Sequence, residues 1–250
     1  MNAVAAPVDR ISRSVDHRYT YQGETYPGVT SVIGIAINKS DALVPWAAKV
    51  TAEVAVELLD TLPQLRASVG DVGVINALKA ASADRRGEAA KFGSIVHGLA
   101  DDYLNDRPLP ANLPETQQKY IDGYSAWWKA SGWKLRASEA LLVHPIFRYG
   151  GTLDLLCRDR DGRTVLADIK TGKGVYREAV LQLTAYGMAQ FIQTEAGVFA
   201  MPKVDRHVIL HVTADGVREI EVPIGSLEQV AWAACLDLHL WAETTKGKRL

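Results

Sequence analysis

Chemically useful residues lie close together between positions 150 and 186. Asp154 lies in one apolar segment of strand character, and Asp168 and Lys170 lie in the next such segment. Side chains alternate along a strand, so Asp168 and Lys170 point to the same side. Carboxylates from paired strands can bind one Mg²⁺ ion, because hard cations prefer oxygen ligands at short range. The spacing therefore predicts a metal-dependent phosphodiesterase.

The Asp-Ile-Lys segment supplies groups for hydrolysis of a phosphodiester bond. A metal lowers the pKa of its bound water and stabilises the developing oxyanion, which an anionic phosphodiester requires. Lys170 would lie beside the metal, where its charge orients a water or offsets charge in the transition state. The carbonyl oxygen of Ile169, between Asp168 and Lys170, is a candidate for a further metal ligand.

The segment after this strand offers groups that bind phosphate. The loop 171–174 reads Thr-Gly-Lys-Gly, which is not a Walker A loop but lets backbone N–H groups approach an anion. Lys173 adds a positive charge to the loop. The next helix, predicted over 177–193, carries Gln182 and Tyr186 four residues apart on one face. We expect this pair to face the metal and to contact a phosphate or sugar.

A histidine on the helix predicted over 84–104 is a candidate metal ligand. His97 lies off the apolar face of this helix, and Gly93 and Gly98 leave its surroundings open. A single helical histidine is more often a structural or surface residue. Here the small neighbours and the carboxylates downstream favour metal binding.

Each of these residues has an ordinary structural explanation when it is taken alone. A charged side opposite an apolar side is what any half-exposed strand shows, and this applies to the strand predicted over 164–170. Two other classes of function stay open: a module that holds DNA or a partner through the basic loop, and a small-molecule or structural α/β protein. Clustered carboxylates argue against a pure DNA binder, because they repel phosphate unless a metal intervenes.

Composition and charge limit the classes of protein to which this chain can belong. The 250 residues suffice for one large domain or two small ones. The net charge is −1, from 28 basic and 29 acidic residues, whereas a protein that coats DNA non-specifically is basic overall. Cys157 and Cys235 form no zinc or iron–sulfur motif, and reduced thiols of a cytoplasmic protein are expected. No signal peptide and no apolar run of about 18 residues is found, so no membrane partner is expected.

The rest of the chain predicts the elements that position these groups. A loose tail is expected over 1–16 and a hairpin over 19–26. Glu139 lies in a strand predicted over 138–143, and His207 and His211 are interpreted as structural. The other predicted helices cover 46–59, 69–80, 115–131 and 227–244, and the other predicted strands cover 206–212 and 217–222.

Three motifs in this order resemble the PD-(D/E)XK nucleases of the RecB type. They are Gly-Thr-Leu-Asp over 151–154, Asp-Ile-Lys over 168–170, and Gln182 with Tyr186 four residues later. The sequence Gly-Ser-Ile-Val-His over 93–97 matches the place of a metal-binding histidine in that branch. The wider layout is also similar to the mitochondrial genome maintenance exonucleases and to phage relatives.

The likeness extends over about 19–246 and implies both a fold and an activity. The implied fold is α/β, a central mixed β-sheet flanked by helices, with a restriction-endonuclease-like core and a helical N-terminal part at 28–131. It implies one nuclease domain over 1–250, with its core at 84–104 and 138–246. The implied activity is a Mg²⁺- or Mn²⁺-dependent exonuclease that cleaves single-stranded or end-bearing DNA in replication, recombination or repair.

The resemblance also implies roles for individual residues. The implied metal ligands are His97, Asp154 and Asp168, beside the Ile169 carbonyl, and the implied catalytic residues are Asp154, Asp168 and Lys170. Glu139 would fill an earlier acidic position, and DNA contacts are expected from Arg148, Lys173, Arg177, Gln182 and Tyr186. The four-cysteine cluster of some relatives is missing, so no iron–sulfur cluster is expected. A catalytically inactive binding module on the same fold is the alternative.

Overall fold

The computed structural model describes residues 10–246, which form a mixed α/β structure. The helices in this part of the chain are α1 (Val29–Ala36), α2 (Ser40–Glu57), α3 (Leu62–Leu104), α4 (Glu115–Ser131), α5 (Arg177–Gly187) and α6 (Ser226–Thr245). The strands are β1 (Ser12–Arg13), β2 (Tyr19–Tyr21), β3 (Glu24–Tyr26), β4 (Lys134–His144), β5 (Tyr149–Arg158), β6 (Thr164–Lys170), β7 (Phe191–Thr194), β8 (Gly197–Ala200), β9 (Arg206–Thr213) and β10 (Gly216–Glu221).

The central sheet has seven strands in the order β10-β9-β6-β5-β4-β7-β8. Strands β6 and β9 are parallel, and every other neighbouring pair in this sheet is antiparallel. A parallel pair needs a long crossover connection, and here α5 and the β7–β8 hairpin supply it. The predicted fold class, a mixed sheet with flanking helices and a helical segment before it, is confirmed.

Strands β5 and β6 lie in the interior of the sheet and are covered on both faces. Thr164 through Ile169 are all buried, and so are most residues of β5. Strands buried on both faces are rich in apolar residues throughout. The interpretation of β6 as an ordinary half-exposed strand is therefore wrong, because the face that carries Asp168 is buried inside the protein.

Helices cover the sheet and close its core. Helices α1, α5 and α6 contact one another, and α1 and α5 also contact sheet strands, whereas α4 packs on β9 and β10. Trp232 of α6 is fully buried and meets the ring of Tyr149 edge-on. The Tyr149 hydroxyl donates a hydrogen bond of 2.7 Å to the carbonyl of Ala185, which ties β5 to α5.

A small sheet of β1, β2 and β3 precedes the main one. Its hairpin over Tyr19–Tyr26 is confirmed, but the loose tail expected over 1–16 is wrong where the structure describes it, because β1 pairs with β2. Residues 1–9 of that tail lie outside the described residues. Tyr19 packs so closely on Gly150 that a Cβ there would lie 2.4 Å from the Tyr19 Cβ. The position therefore requires glycine.

The chain divides into two compact units: Asn38–Ile95 forms one, and the segments on either side of it form the other. Within the smaller unit, Arg85 binds Glu53 at 2.8 Å and Glu57 at 3.0 Å. Val50 is the buried apolar residue of its first helix.

Three helices predicted between 46 and 104 have different limits in the structure. Helix α2 begins at Ser40 instead of 46, so Pro45 lies inside the helix, and the side chain of Asn38 accepts a hydrogen bond from the Ser40 N–H. The two helices predicted over 69–80 and 84–104 are one helix, α3, since no helix breaker separates them. Its interruption lies at Gly70, whose φ of 71° is left-handed.

The helix predicted over 177–193 ends at Gly187 instead, and the hairpin of β7 and β8 follows it. Gly187 approaches His207 so closely that a Cβ would lie 2.6 Å from its Nε2 atom. The Phe-Ile-Gln-Thr and Gly-Val-Phe-Ala segments carry β-branched and aromatic residues, which are typical of strands and which the helical pattern concealed. Among the described residues, no helix combines the length and apolar character needed to cross a membrane.

Candidate metal and catalytic site

Three side chains that can bind a metal converge beside the central sheet. The Nδ1 atom of His97 lies 3.6 Å from Asp154 Oδ1 and 3.9 Å from Glu139 Oε1. One donor atom from each of the three residues lies within 4.8 Å of the other two. Two predicted ligands, His97 and Asp154, are therefore close together, and Glu139, the residue expected at the earlier acidic position, is the third member of the group.

Adjacent elements of the larger unit place these three donors. The C-terminal part of helix α3 buries Val96 and Leu99, and His97 between them is half-buried and lies next to strands β4 and β5. Strands β4 and β5 pair antiparallel, with Ser138 opposite Leu155 and Ala140 opposite Leu153. Glu139 and Asp154 lie between those pairs, so neighbouring strands bring both carboxylates to one place.

Glu139 has an unusual backbone conformation for a residue inside a strand. Its φ is +46°, in the left-handed region that residues with a Cβ rarely adopt. Such a conformation costs about 1–3 kcal/mol and is characteristic of functional sites. In this strained conformation the Glu139 carboxylate lies near His97, and the residue departs from the regular alternation of side chains along β4.

A substitution at Glu139 is expected to separate stability from metal binding. Glu139→Gly should raise the free energy of unfolding by about 1 kcal/mol, because glycine adopts a positive φ without strain. The same change should weaken Mn²⁺ binding. Urea unfolding and calorimetric titration measure the two quantities. Glu139→Gln is the matched control: it loses the charge but keeps the strain, so it should weaken binding without gaining stability.

Asp168 and Lys170 form a buried ion pair at the end of β6. Lys170 Nζ lies 2.5 Å from Asp168 Oδ2, and Asp168 is completely buried. Neither Asp168 oxygen has a hydrogen-bond partner among the described residues, so the contact with Lys170 lacks hydrogen-bond geometry. A buried carboxylate without hydrogen bonds is costly, which makes it a natural ligand for a cation.

The backbone of Ile169 connects the two carboxylates. Its N–H donates a hydrogen bond of 2.6 Å to Asp154 Oδ2. In an extended strand the N–H and C=O of one residue point to the same side, as residues that exchange both bonds with a neighbour show. The Ile169 carbonyl is thereby directed toward the side of β6 on which Asp154 lies, as a metal ligand at this position requires.

A chain of polar contacts extends from Lys170 to α5. Lys170 Nζ donates to Gln182 Oε1 at 3.3 Å, and Gln182 Nε2 donates to the hydroxyl of Tyr186 at 2.9 Å. Tyr186 is buried against Gly151, where a Cβ would lie 2.5 Å from the Tyr186 ring. The predicted Gln/Tyr pair therefore faces the lysine side of the site.

The charges of the site shift one another's pKa values. Burial disfavours the charged form of His97, but Asp154 and Glu139 outweigh burial and raise the pKa of His97 to about 10. Burial opposes ionisation of Asp154 as well, yet the neighbouring His97 and Lys170 lower the pKa of Asp154. Burial dominates at Asp168 and raises its pKa to about 6.

The donor set fits a small divalent cation. Carboxylate oxygens suit Mg²⁺ and Mn²⁺, and an imidazole shifts the preference toward Mn²⁺ among these two. Asp168 is completely buried and its oxygens have no hydrogen-bond partner among the described residues, which leaves lone pairs that a metal can share with the Lys170 ion pair. His97, Glu139 and Asp154 would hold such an ion, with Asp168 and the Ile169 carbonyl on the neighbouring strand.

The residues predicted to contact DNA fall into two groups. Lys173 and Arg177 are exposed, and the described residues offer their side chains no hydrogen bond or ion pair. Arg148 instead binds Glu24 at 3.1 Å and lies over the ring of Tyr26 at 5.6 Å. Arg148 is thus already engaged in holding the small N-terminal sheet.

Sequence reasoning missed two contacts that shape the site. His211 is buried, and its Nε2 atom lies 2.8 Å from the carbonyl oxygen of Gly172, so it anchors the loop after Lys170. The Tyr19 hydroxyl lies 3.0 Å from Thr152 Oγ1, two residues before Asp154. No sequence motif reveals either contact, because both join segments that are distant in the chain.

Comparison with known proteins leaves the chain without an assigned family. No protein-family model matches the sequence, and no curated protein is significantly similar to it. Among solved structures, one titled "Crystal structure of SSO0001" is similar over 64% of this chain and 72% of that chain. The two share 15% sequence identity with a TM-score of 0.28, a likeness too weak to bear on the site.

Proposed function

We propose that this chain is a divalent-metal-dependent deoxyribonuclease of the PD-(D/E)XK type. The observation that carries the proposal is the convergence of His97, Glu139 and Asp154 beside the buried pair of Asp168 and Lys170. Metal donors and a lysine at one place can supply an activated water and positive charge for hydrolysis of a phosphodiester. No other described part of the chain brings three such donors together.

The residues of the site have separate roles in the proposed reaction. When bound, the metal supplies a water of lowered pKa and positive charge for the phosphate. His97, on α3, and Asp154, on β5, would bind one side of the metal ion. Lys170, already charged and fixed by Asp168 and Gln182, orients the attacking water and offsets charge on the phosphate in the transition state.

An exonuclease acting on single-stranded or end-bearing DNA is the form of the activity that we propose. This part of the proposal rests on the resemblance of the motifs to RecB-type nucleases, since folds of this kind host several activities. The net charge of −1 also suits a protein whose DNA contacts are local. In the part of the chain that the structure describes, Lys173 and Arg177 are exposed cations that follow Lys170 and have no ion pair.

The decisive experiment is a cleavage assay on open and closed DNA. Labelled linear single-stranded, linear double-stranded and circular DNA are incubated with Mg²⁺ or Mn²⁺, and with EDTA as the control. We expect linear DNA to be shortened only with metal, and circular DNA to survive. Tight DNA binding without metal, together with no product under any condition, would instead establish the binding module.

Metal binding is expected to stabilise the protein measurably. Mn²⁺ at about 100 times its Kd should add about 2.7 kcal/mol, which raises the Tm of a chain of this size by about 5–10 °C. Asp154→Asn should abolish this increase, because Asp154 is the buried carboxylate of the metal group. Asp161→Asn, in an exposed turn, is the control and should keep it. An equal increase in both variants would place the ion elsewhere.

A further inference from the structure

The loop that follows Lys170 presents an exposed aromatic ring together with two cations. The chain has nine tyrosines, and Tyr176 alone is exposed, with 66% of its surface accessible. Lys173 and Arg177 on either side of it are exposed too. Among the described residues, none of these three side chains has a hydrogen bond, ion pair or ring contact. An exposed tyrosine between unpaired cations is an arrangement suited to a ligand with a flat ring and negative charge.

The loop is held firmly although its side chains are exposed. His211 binds the carbonyl of Gly172 at its start, and Val175 packs against the hydrophobic core just before Tyr176. The Tyr176 carbonyl accepts a hydrogen bond of 3.0 Å from the N–H of Ala179, in the first turn of α5. A fixed backbone presents the ring of Tyr176 at a defined place, which reduces the entropy lost when a ligand binds.

The position of Tyr176 relative to the candidate catalytic residues fits the spacing of nucleotides. Gln182, which contacts Lys170, lies six residues further along α5. A helix rises 1.5 Å per residue, so Tyr176 lies about 9 Å from the level of Gln182. Stacked nucleotides repeat at about 3.4 Å along a strand, so a strand whose base stacks on Tyr176 can reach the candidate catalytic residues within a few nucleotides.

We infer that Tyr176 is a stacking platform for an unpaired base of the DNA strand, flanked by phosphate contacts from Lys173 and Arg177. The inference rests on the proposed nuclease function and names its substrate as single-stranded. Bases in a duplex already stack on their neighbours and cannot cover a protein ring, whereas an unpaired base gains from stacking on tyrosine. The enzyme therefore prefers single strands because of this residue.

Kinetics of Tyr176 variants test the inference. Tyr176→Ala should raise KM for a single-stranded oligonucleotide about 10-fold or more, with kcat little changed, because base stacking contributes to binding. Tyr176→Phe should behave as wild type, since the ring is kept. An oligonucleotide with abasic sites opposite the platform should be cleaved equally by wild type and Tyr176→Ala. Phe199→Ala removes another exposed aromatic, on β8, and should change nothing.

A substrate without bases separates this inference from the proposed function. Wild type and Tyr176→Ala should hydrolyse bis(p-nitrophenyl) phosphate at equal rates with Mn²⁺. Hydrolysis of this ester by wild type, with unchanged oligonucleotide KM in Tyr176→Ala, overturns the stacking role alone. Equal losses on the ester and on DNA would make Tyr176 a structural residue. Absence of hydrolysis of any phosphodiester by wild type would overturn both proposals.

Discussion

Replacement of Lys170 by alanine is expected to lower the rate of DNA cleavage by about 100-fold to 10,000-fold. Its side chain forms an ion pair with Asp168 and also contacts Gln182 of α5. Its charge acts where negative charge develops on the phosphate, so its loss should appear in kcat more than in KM. Single-turnover cleavage with saturating enzyme measures the chemical step directly.

The alanine variant has a second expected effect that needs its own control. Removing one member of a buried ion pair leaves an uncompensated carboxylate, which typically costs about 3–5 kcal/mol. Lys170→Arg keeps a charge next to Asp168 and should fold normally, yet the larger planar group places that charge differently. It should therefore remain inactive while its urea midpoint stays near that of wild type.

A lysine outside the site completes the comparison. Lys203 is exposed in the segment before β9, and its removal takes away one surface charge without disturbing a buried group. Lys203→Ala should cleave DNA at the wild-type rate. If Lys170→Arg also cleaves at that rate, the lysine has no role in the chemistry, and the buried pair is only structural.

The candidate site was predictable where a short spacing determines geometry. Asp168 and Lys170 are two residues apart on one strand, and alternation alone places both side chains together. Gln182 and Tyr186 are one helical turn apart, and their hydrogen bond follows from that separation. Contacts between distant segments were not predictable in this way: the turn of Glu139 toward His97 depends on a left-handed backbone that no local pattern encodes.

The same distinction applies to the fold. The limits of α4 and β6 agree with the sequence prediction, because Gly132 and an Asp-Gly turn mark them locally. Helix α5 is shorter than its apolar pattern suggests, since the chain beyond Gly187 pairs with β4 as a strand. Such pairing is a tertiary interaction that overrides local helical preference.

A large loss of stability is expected from Trp232→Ala. Trp232 is completely buried, and its ring meets Tyr149 edge-on at 5.0 Å between centroids. Truncating a buried tryptophan to alanine costs about 3–5 kcal/mol, because apolar burial is lost and a cavity remains. Urea unfolding should show this loss. Trp241→Ala, on the same helix but 61% exposed, is the control and should cost less than about 0.5 kcal/mol.

The position of Trp232 also connects this loss of stability to the candidate site. Its partner Tyr149 holds the carbonyl of Ala185, next to Tyr186 in α5, through a hydrogen bond of 2.7 Å. A cavity beside Tyr149 loosens that attachment, so the Gln182–Tyr186 contact should weaken before the whole domain unfolds. At a temperature where Trp232→Ala remains folded, we expect DNA cleavage to fall and hydrogen exchange in α5 to increase. Unchanged exchange in α5 would show that the sheet positions this helix without Trp232.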